Sequence, residues 1–250
     1  MAGLAIGLLY GVFGVGSAFA TPVLAMLGVP GMAAVVGPLP ALLPSSTAGA
    51  WSYSRRGKVD WPVARRTLVT GFPAAVAGAL ASRWVGGPVL LVLSGVVLLV
   101  VGLRVLRPTR LTDGEAEAEA DAARRRASAG FVMTAAALVG FASGLLANGG
   151  GFLLVPMFLL ALGLDMNEAA GTSMVVAAVL TVPTLFVHTL IGDVNWLVAG
   201  GFGLGLVPGT LLGGRLAVHL PAARLRSAFG VLLVVFAVWF LARQVLPLVV

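Results

Sequence analysis

Residues 140–156 read GFASGLLANGGGFLLVP, an apolar run that is broken at its centre by Asn148 and the three glycines Gly149, Gly150 and Gly151. The run lies inside an uncharged block, residues 129–163, which is longer than the roughly 20 residues of an ordinary membrane span. Consecutive glycines weaken a helix, and a helix break leaves backbone N–H groups without intrahelical partners. The stretch therefore predicts two helices that form a hairpin within the membrane, with its turn at the glycines.

The composition of the whole chain is that of an integral membrane protein. Of 250 residues, 59% are hydrophobic and 10% are charged, whereas soluble domains carry about 25% charged residues. The net charge of +7 comes from arginines grouped in short loops, a pattern typical of topology signals rather than of a nucleic-acid groove. We therefore expect the lipid bilayer as a partner and no nucleic acid, and exclude a soluble enzyme and a disordered chain.

The apolar blocks predict helices that cross the membrane. Unsatisfied backbone groups are too costly in lipid for other structures, and no alternating barrel pattern is present. Most blocks are long enough to cross about 30 Å of hydrocarbon. They lie at residues 3–28, 32–53, 62–85, 88–106, 129–163, 169–188, 197–214 and 228–246.

The pattern of glycines and prolines occurs twice. The clearest match is Gly57-Lys58-Val59-Asp60-Trp61 against Gly192-Asp193-Val194-Asn195-Trp196. Glycines on both sides stay in register at an offset of 133 to 135 residues, among them Gly7 with Gly140 and Gly11 with Gly144. The match predicts a first membrane repeat at 1–106, a charged cytoplasmic linker at 107–128 and a second membrane repeat at 129–250.

The arginines and the single lysine favour repeats of opposite orientation. Parallel four-span repeats would leave 12 positive residues on one side and 4 on the other. If the first block of each half is a broken or re-entrant hairpin, the halves are inverted. In that arrangement 14 positive residues lie on one side of the membrane and 2 on the other. The positive-inside rule prefers the second arrangement. We expect five helical segments per half, with both termini outside the cell.

Inverted repeats with broken helices are the layout of many secondary transporters, whose sites lie near the midplane. Backbone N–H groups at a helix break and neighbouring hydroxyls are donors suited to an anion. The predicted substrate-binding residues are those at the two hairpin turns and in the polar clusters that follow them. They are Gly14, Gly16, Ser17, Ser45, Ser46, Thr47, Asn148, Gly149, Gly150, Gly151, Thr172 and Ser173.

Two structural alternatives remain open for these residues. Glycines also permit close helix packing without any ligand, and buried Ser and Thr commonly bond to the preceding helical turn. The nine acidic residues lie in loops or in the linker, so a cation site or a carboxylate proton relay is not expected. His188, near a predicted span end, and His219, in a predicted cytoplasmic loop, are interpreted as structural, and we expect no catalytic residue, metal or cofactor.

Several of these stretches resemble the TauE/SafE sulfite exporter family. The resemblance rests on residues 140–156, on Gly171-Thr172-Ser173, on residues 192–196, and on the close of the chain from Pro208-Gly209-Thr210 to Phe229-Gly230. It implies export or exchange of sulfite and small organosulfonates across the bacterial cytoplasmic membrane. The first half departs from the pattern, because Gly14-Val15-Gly16-Ser17 stands in place of the glycine run.

The leading hypothesis is therefore a secondary transporter of small sulfur-containing anions, such as sulfite or organosulfonates, that works by alternating access around a midplane site. A non-transport membrane scaffold or subunit is one alternative. A transporter of another small anion, a carboxylate or a lipid headgroup, is another. The sequence carries no feature that fixes the oligomeric state, the coupling ion or the direction of transport.

Overall fold

The computed structural model describes residues 2–29, 31–85, 87–106, 129–147, 151–192, 194–217 and 219–249. Within these ranges every regular element is a helix and no strand occurs, which confirms the predicted all-α class. The predicted linker at 107–128 lies outside the described residues, as do Asn148, Gly149 and Gly150.

The helices follow one another with short connections. The first half contains α1 (Ala2–Phe13), α2 (Gly16–Met26), α3 (Gly31–Val36), α4 (Leu39–Ser54), α5 (Trp61–Val85) and α6 (Gly87–Leu106). The second half contains α7 (Ala129–Leu145), α8 (Gly151–Pro156) with a π-helix over Met157–Ala161, α9 (Met166–Ile191), α10 (Trp196–Ala217) and α11 (Ala222–Val249). Among the described residues, α5, α9, α10 and residues 222–242 of α11 are long and apolar enough to cross a membrane.

The first half is divided into one helix more than the five segments that we expected. The extra boundary falls at Gly37 and Pro38, between α3 and α4. Proline disfavours helical backbone at the residue before it, and Pro38 and Pro40 are favourable only at the start of the helix that follows. The second half has no proline at the matching positions, Thr172 and Met174, and α9 runs without a break.

The block at 3–28 forms the predicted hairpin. Gly16, the first residue of α2, packs directly against the side chain of Tyr10, so the chain folds back beside α1. Two aromatic contacts join this hairpin to α11. Phe13 stacks on Phe229 with ring centroids 5.7 Å apart, and Phe19 contacts Phe236 with ring centroids 4.7 Å apart. The block at 129–163 is likewise divided into α7 and α8.

The first helix of each half packs on a helix of the other half. Gly7 and Gly11 of α1 lie against the backbone carbonyls of Leu206 and Thr210 in α10. Gly140 and Gly144 of α7 lie in the same way against the carbonyls of Gly71 and Ala75 in α5. Because residues 206 and 210 are the duplication partners of 71 and 75, the repeat in the sequence recurs as a repeat of contacts.

Matching helices of the two halves run antiparallel where they touch. Gly95 packs on Leu241 and Gly102 packs on Val234, which sets α6 antiparallel to α11. Gly49 contacts Met174 while Gly171 contacts Tyr53, which sets α4 antiparallel to α9. These directions support inverted halves. The orientation in a membrane and the position of the termini stay predictions.

Candidate functional site

The duplicated Gly-x-Val-(Asp or Asn)-Trp stretches are helix-to-helix turns. Gly57 and Gly192 have left-handed φ angles of +68° and +86°, a conformation that glycine adopts without strain. The Asp60 Oδ1 atom accepts a hydrogen bond from the Val63 backbone N–H at 3.0 Å, and Asn195 Oδ1 accepts from Val198 at 3.1 Å. The motif therefore ends one helix and caps the next, and its residues have a structural role.

The turn of the first hairpin is buried against the second half. Gly14 has a left-handed φ of +74°, and a Cβ built on it would lie 2.7 Å from the Ser173 Oγ atom and 3.1 Å from the Ala170 Cα atom of α9. The structure thus brings two of the predicted site residues, Gly14 and Ser173, together. In the second half, Ala147 has a φ of +49° at the position that matches Gly14.

Sequence reasoning missed Ala147, because alanine carries no signal for a left-handed turn. Non-glycine residues rarely adopt this conformation, and such residues cluster at functional sites. Its equivalence to Gly14 can be recognised once the two halves are aligned through their glycines. Both hairpins therefore turn through a left-handed residue two positions before a glycine, Gly16 in one half and Gly149 in the other.

The predicted hydroxyl donors bond to backbone groups. Ser45 and Ser46 of α4 each donate to the carbonyl four residues earlier at 2.7 Å. Thr47 donates to the Leu43 carbonyl at 3.0 Å from an exposed position. Ser173 donates to the Ala170 carbonyl at 2.8 Å. Local bonding to the preceding turn, one of the two alternatives for these residues, is thus the arrangement that is seen.

Thr172 has a different role from the other hydroxyl residues. Its Oγ1 atom accepts a hydrogen bond from the Asp60 backbone N–H at 2.9 Å, so it ties the α4–α5 loop to α9. Of the other predicted residues, Gly16 abuts Tyr10 at the first turn, Ser17 lies in α2, and Gly151 begins α8. Among the described residues of the predicted set, Gly14 and Ser173 meet across the two halves, at the turn of the first hairpin.

Charged groups gather at the end of the bundle where α4 and α10 finish. The Arg56 Nη1 atom donates to the Gly214 carbonyl at 2.9 Å and to the Ser52 hydroxyl at 3.0 Å. Lys58 Nζ lies 3.5 Å from Asp165 Oδ2, and Asp165 also caps α9 by accepting from the Glu168 N–H. The loop at 55–60 is thus bound to the second half, and two of the positive clusters lie at the same end.

Two buried tyrosines beside the first hairpin were not singled out in the sequence. The Tyr53 hydroxyl donates to the Gly11 carbonyl at 2.9 Å, near the end of α1. Tyr10 lies within hydrogen-bonding reach of the Ser46 hydroxyl. A lone tyrosine in an apolar run carries little signal by itself, but the duplication pairs Tyr53 with His188 and Tyr10 with Ser143.

The outer surface fits contact with lipid rather than with water. Large apolar side chains project from it, including Leu197 at 88%, Leu204 at 83% and Leu190 at 72% exposure. Soluble monomers rarely expose apolar patches of such extent. Together with the broken hairpins and the duplicated turns, this surface defines a multi-pass helical membrane protein.

Comparison with known proteins identifies the family. The family model for the sulfite exporter TauE/SafE matches residues 1–240, and the chain belongs to this family. The chain is 31% and 30% identical to two proteins named "Probable membrane transporter protein" from Xylella fastidiosa, strains Temecula1 and 9a5c. Each of these alignments covers 98% of this chain and 92% of the relative.

A shorter match covers part of the chain. Over 95 residues, 38% of this chain and 33% of the relative, it is 37% identical to "Probable membrane transporter protein YunE" from Bacillus subtilis. No solved structure matches the chain. The resemblance seen in the sequence is therefore confirmed, and the protein is a membrane transporter of the TauE/SafE type rather than an enzyme.

Proposed function

We propose that the protein moves small sulfur-containing anions, such as sulfite or organosulfonates, across the bacterial cytoplasmic membrane. The observation that carries the proposal is the pair of helical hairpins whose turns, at Gly14 and Ala147, adopt left-handed backbone and are buried. A broken helix inside a membrane bundle is tolerated where its backbone is buried in protein or lines a cavity. Such breaks form the ligand sites of many secondary transporters.

The donor chemistry at these turns suits an oxyanion. The helix α2 begins at Gly16, and its N-cap residue Val15 supplies no side chain to cap the first N–H groups. Unpaired N–H groups at the start of a helix attract negative charge, with support from the helix dipole. We assign the same role to the backbone of Asn148 and the glycine run that follows it. The Ser173 hydroxyl lies beside the first turn, because a Cβ on Gly14 would come within 2.7 Å of the Ser173 Oγ atom.

The placement of the acidic residues favours an anion over a cation. The described acids Asp60, Asp165 and Glu168 lie at the starts of helices, and Asp60 and Asp165 act there as caps. Carboxylates buried within membrane helices are the usual mark of cation sites and proton relays. A site built from backbone N–H groups and hydroxyls binds an anion without placing an opposite fixed charge in the bilayer.

The contacts between helices suggest which parts move. α1 lies backbone to backbone on α10, and α7 lies in the same way on α5. A motion of one sequence half against the other would separate these close pairs. We therefore propose that alternating access moves two units that each combine helices of both halves: one built on α1, α4 and α10, and its counterpart built on α7, α9 and α5.

A panel of anions tests the substrate class. The thermal stability of the detergent-purified protein is measured with sulfite, sulfate, thiosulfate, sulfoacetate, taurine, acetate and citrate. A ligand at 100 times its Kd stabilises the folded state by about 2.7 kcal/mol. We expect stabilisation by sulfite and sulfonates. A response to carboxylates alone would overturn the sulfur assignment, and no response to any anion would contradict the anion site.

A matched pair of glycine variants links this response to the hairpin. Gly150→Leu places a bulky side chain in the glycine run and is expected to abolish the response to sulfite. Gly201→Leu is the control, because a side chain at Gly201 would meet nothing within 4 Å. Normal sulfite binding by a well-expressed Gly150→Leu variant would argue against the glycine run as part of the site.

A further inference from the structure

Three pairs of buried residues distinguish the two hairpins. Under the duplication, Tyr10 corresponds to Ser143, Ser46 corresponds to Thr181 and Tyr53 corresponds to His188. All six are buried, and the residues from 45 to 53 match those from 180 to 188 closely in their pattern of exposure. The two halves therefore share a scaffold but differ in the side chains between the hairpin and its neighbouring helix.

In the first half, two phenol rings occupy this space. Tyr10 of α1 reaches the Ser46 hydroxyl of α4, and Tyr53 of α4 donates to the carbonyls of Gly11 and Val12 at 2.9 and 3.3 Å. Both rings are fully buried. These two side chains thus fill the space between α1 and α4, and their hydroxyls find hydrogen-bond partners within the protein.

In the second half, the side chain on the hairpin is short and its polar atom is unsatisfied. Ser143 is fully buried, and its Oγ atom has no hydrogen-bond partner. A buried hydroxyl without a partner costs free energy that a bound ligand or water can recover. Because Tyr10 reaches Ser46, the duplication predicts that the Ser143 hydroxyl faces Thr181 of α9.

One face of α9 carries three buried polar residues, of which Thr181 and Thr184 donate hydrogen bonds to the Ala177 and Leu180 carbonyls of their own helix. Thr181, Thr184 and His188 follow the spacing i, i+3 and i+7, which places them on one side of the helix, and each is fully buried. The matching residues Ser46 and Tyr53 face α1, so this side of α9 faces α7. By the same relation the duplication predicts that His188 lies opposite Gly144 and Leu145, near the left-handed turn at Ala147.

From this asymmetry we infer that the transported anion binds in the second half, between α7 and α9, where the Ser143 hydroxyl and a His188 imidazole N–H donate hydrogen bonds to its oxygen atoms. The inference rests on the proposed function. The first hairpin is the filled counterpart, in which Tyr10 and Tyr53 occupy the equivalent positions. Sulfite and sulfonate groups each present three oxygen acceptors, which a hydroxyl and an imidazole can share.

Variants at the two assigned residues test the site. The apparent Kd for sulfite and for taurine is measured from the anion-dependent thermal shift of purified protein, and the melting temperature without anion reports folding. We expect Ser143→Ala and His188→Leu each to raise the Kd at least tenfold. His188→Gln, which keeps an N–H donor, should recover part of that loss, and Ser143→Tyr, which copies the first half, should abolish binding.

Two control variants lie on the lipid-facing sides of the same helices. Thr134 of α7 and Thr189 of α9 are exposed hydroxyl residues that donate to carbonyls of their own helices at 2.9 and 2.7 Å. Thr134→Val and Thr189→Val should bind both anions as the unaltered protein does. If the unaltered protein binds sulfite but Ser143→Ala and His188→Leu keep its Kd, the assignment is wrong while the proposed function stands. If the unaltered protein binds no anion, both are wrong.

Discussion

Glycine at position 144 is required by the contact between two backbones. A Cβ on Gly144 would collide with the Ala75 carbonyl of α5, just as one on Gly11 would collide with the Thr210 carbonyl of α10. Overpacking of this kind costs about 1–3 kcal/mol. Gly144→Ala and Gly11→Ala should each lower the melting temperature of the purified protein.

The matched control for these variants lies in α10. Gly201 is a helical glycine with nothing within 4 Å of its Cβ position. Alanine is favoured over glycine within a helix by about 1 kcal/mol, so Gly201→Ala should leave the melting temperature unchanged or raise it. If Gly144→Ala were as stable as Gly201→Ala, the close packing of α7 on α5 would be contradicted.

The two hairpin turns predict opposite effects of exchanging glycine and alanine. The left-handed conformation costs an L-residue about 1–2 kcal/mol, and glycine avoids that cost. Ala147→Gly should therefore raise stability by roughly 1 kcal/mol. Gly14→Ala should lower it by more than this conformational cost alone, because its Cβ would also press on the Ser173 hydroxyl at 2.7 Å. Thermal unfolding of both variants measures these effects, and a loss of stability in Ala147→Gly would contradict the turn.

Some site residues were predictable from sequence and others were not. The glycines at the turns were predictable because helix breaks are local and need particular residues. The bonding of Ser45 and Ser46 was not, because a buried serine serves equally well as a ligand donor or as a partner of its own helix. His188 and Ser143 could be assigned to the site only by comparison with their counterparts Tyr53 and Tyr10, which the sequence analysis had not aligned.

At the scale of elements, the duplicated turns are the most locally determined part of the fold. Each combines a left-handed glycine with an Asp or Asn cap, and a tryptophan that begins the next helix is exposed at 48% in Trp61 and 60% in Trp196. Amphipathic aromatic rings are favoured at the boundary between lipid and water. The turns therefore fix where α5 and α10 begin, and we expect both turns to lie at the membrane surface.

Cap variants test this account of the turns. Asp60→Ala and Asn195→Ala each remove the acceptor for one N–H at the start of a helix, and such a loss costs about 1 kcal/mol. Asp60→Asn keeps an acceptor and should remain close to the unaltered stability. Unfolding curves of the three variants provide the comparison. A loss in Asp60→Asn as large as that in Asp60→Ala would mean that the charge of Asp60, rather than its cap, matters.

The pairing of helices could not be predicted from hydrophobicity. In a soluble protein apolar residues mark the buried face, but lipid is as apolar as leucine, and here residues such as Leu197 and Leu204 face outward. The buried faces are marked instead by small residues, among them Gly7, Gly11 and Gly140. The sequence analysis used these glycines to find the repeat, and the structure adds that they join α1 to α10 and α7 to α5.

At the scale of the whole molecule, the directions of equivalent helices support inverted halves. The antiparallel pairs α4 with α9 and α6 with α11 each join one helix to its duplication partner. The Arg56 contact with the Gly214 carbonyl places the loop at 55–66 and the connection after α10 at one end of the bundle. This is the arrangement in which positive residues collect on one side, which the positive-inside rule assigns to the cytoplasm.

Cysteine labelling in intact cells and inverted membrane vesicles tests the orientation. The chain contains no cysteine, so single cysteines give a clean signal. Gly57→Cys should react with an impermeant reagent in vesicles alone, and Gly192→Cys in intact cells alone. Both positions are left-handed glycines, so the cost of substitution is similar and does not bias the comparison. Reaction of both from the same side would rule out inverted halves.

Transport itself is measured most directly in proteoliposomes. Purified protein is reconstituted, the vesicles are loaded with sulfite, and the entry of radiolabelled sulfite is followed against protein-free vesicles, with acetate as the competing anion of another class. The account predicts protein-dependent exchange that excess taurine or unlabelled sulfite suppresses, that acetate leaves unchanged, and that the Ser143→Tyr variant lacks. Exchange no faster than in protein-free vesicles, from protein that remains folded after reconstitution, would contradict it.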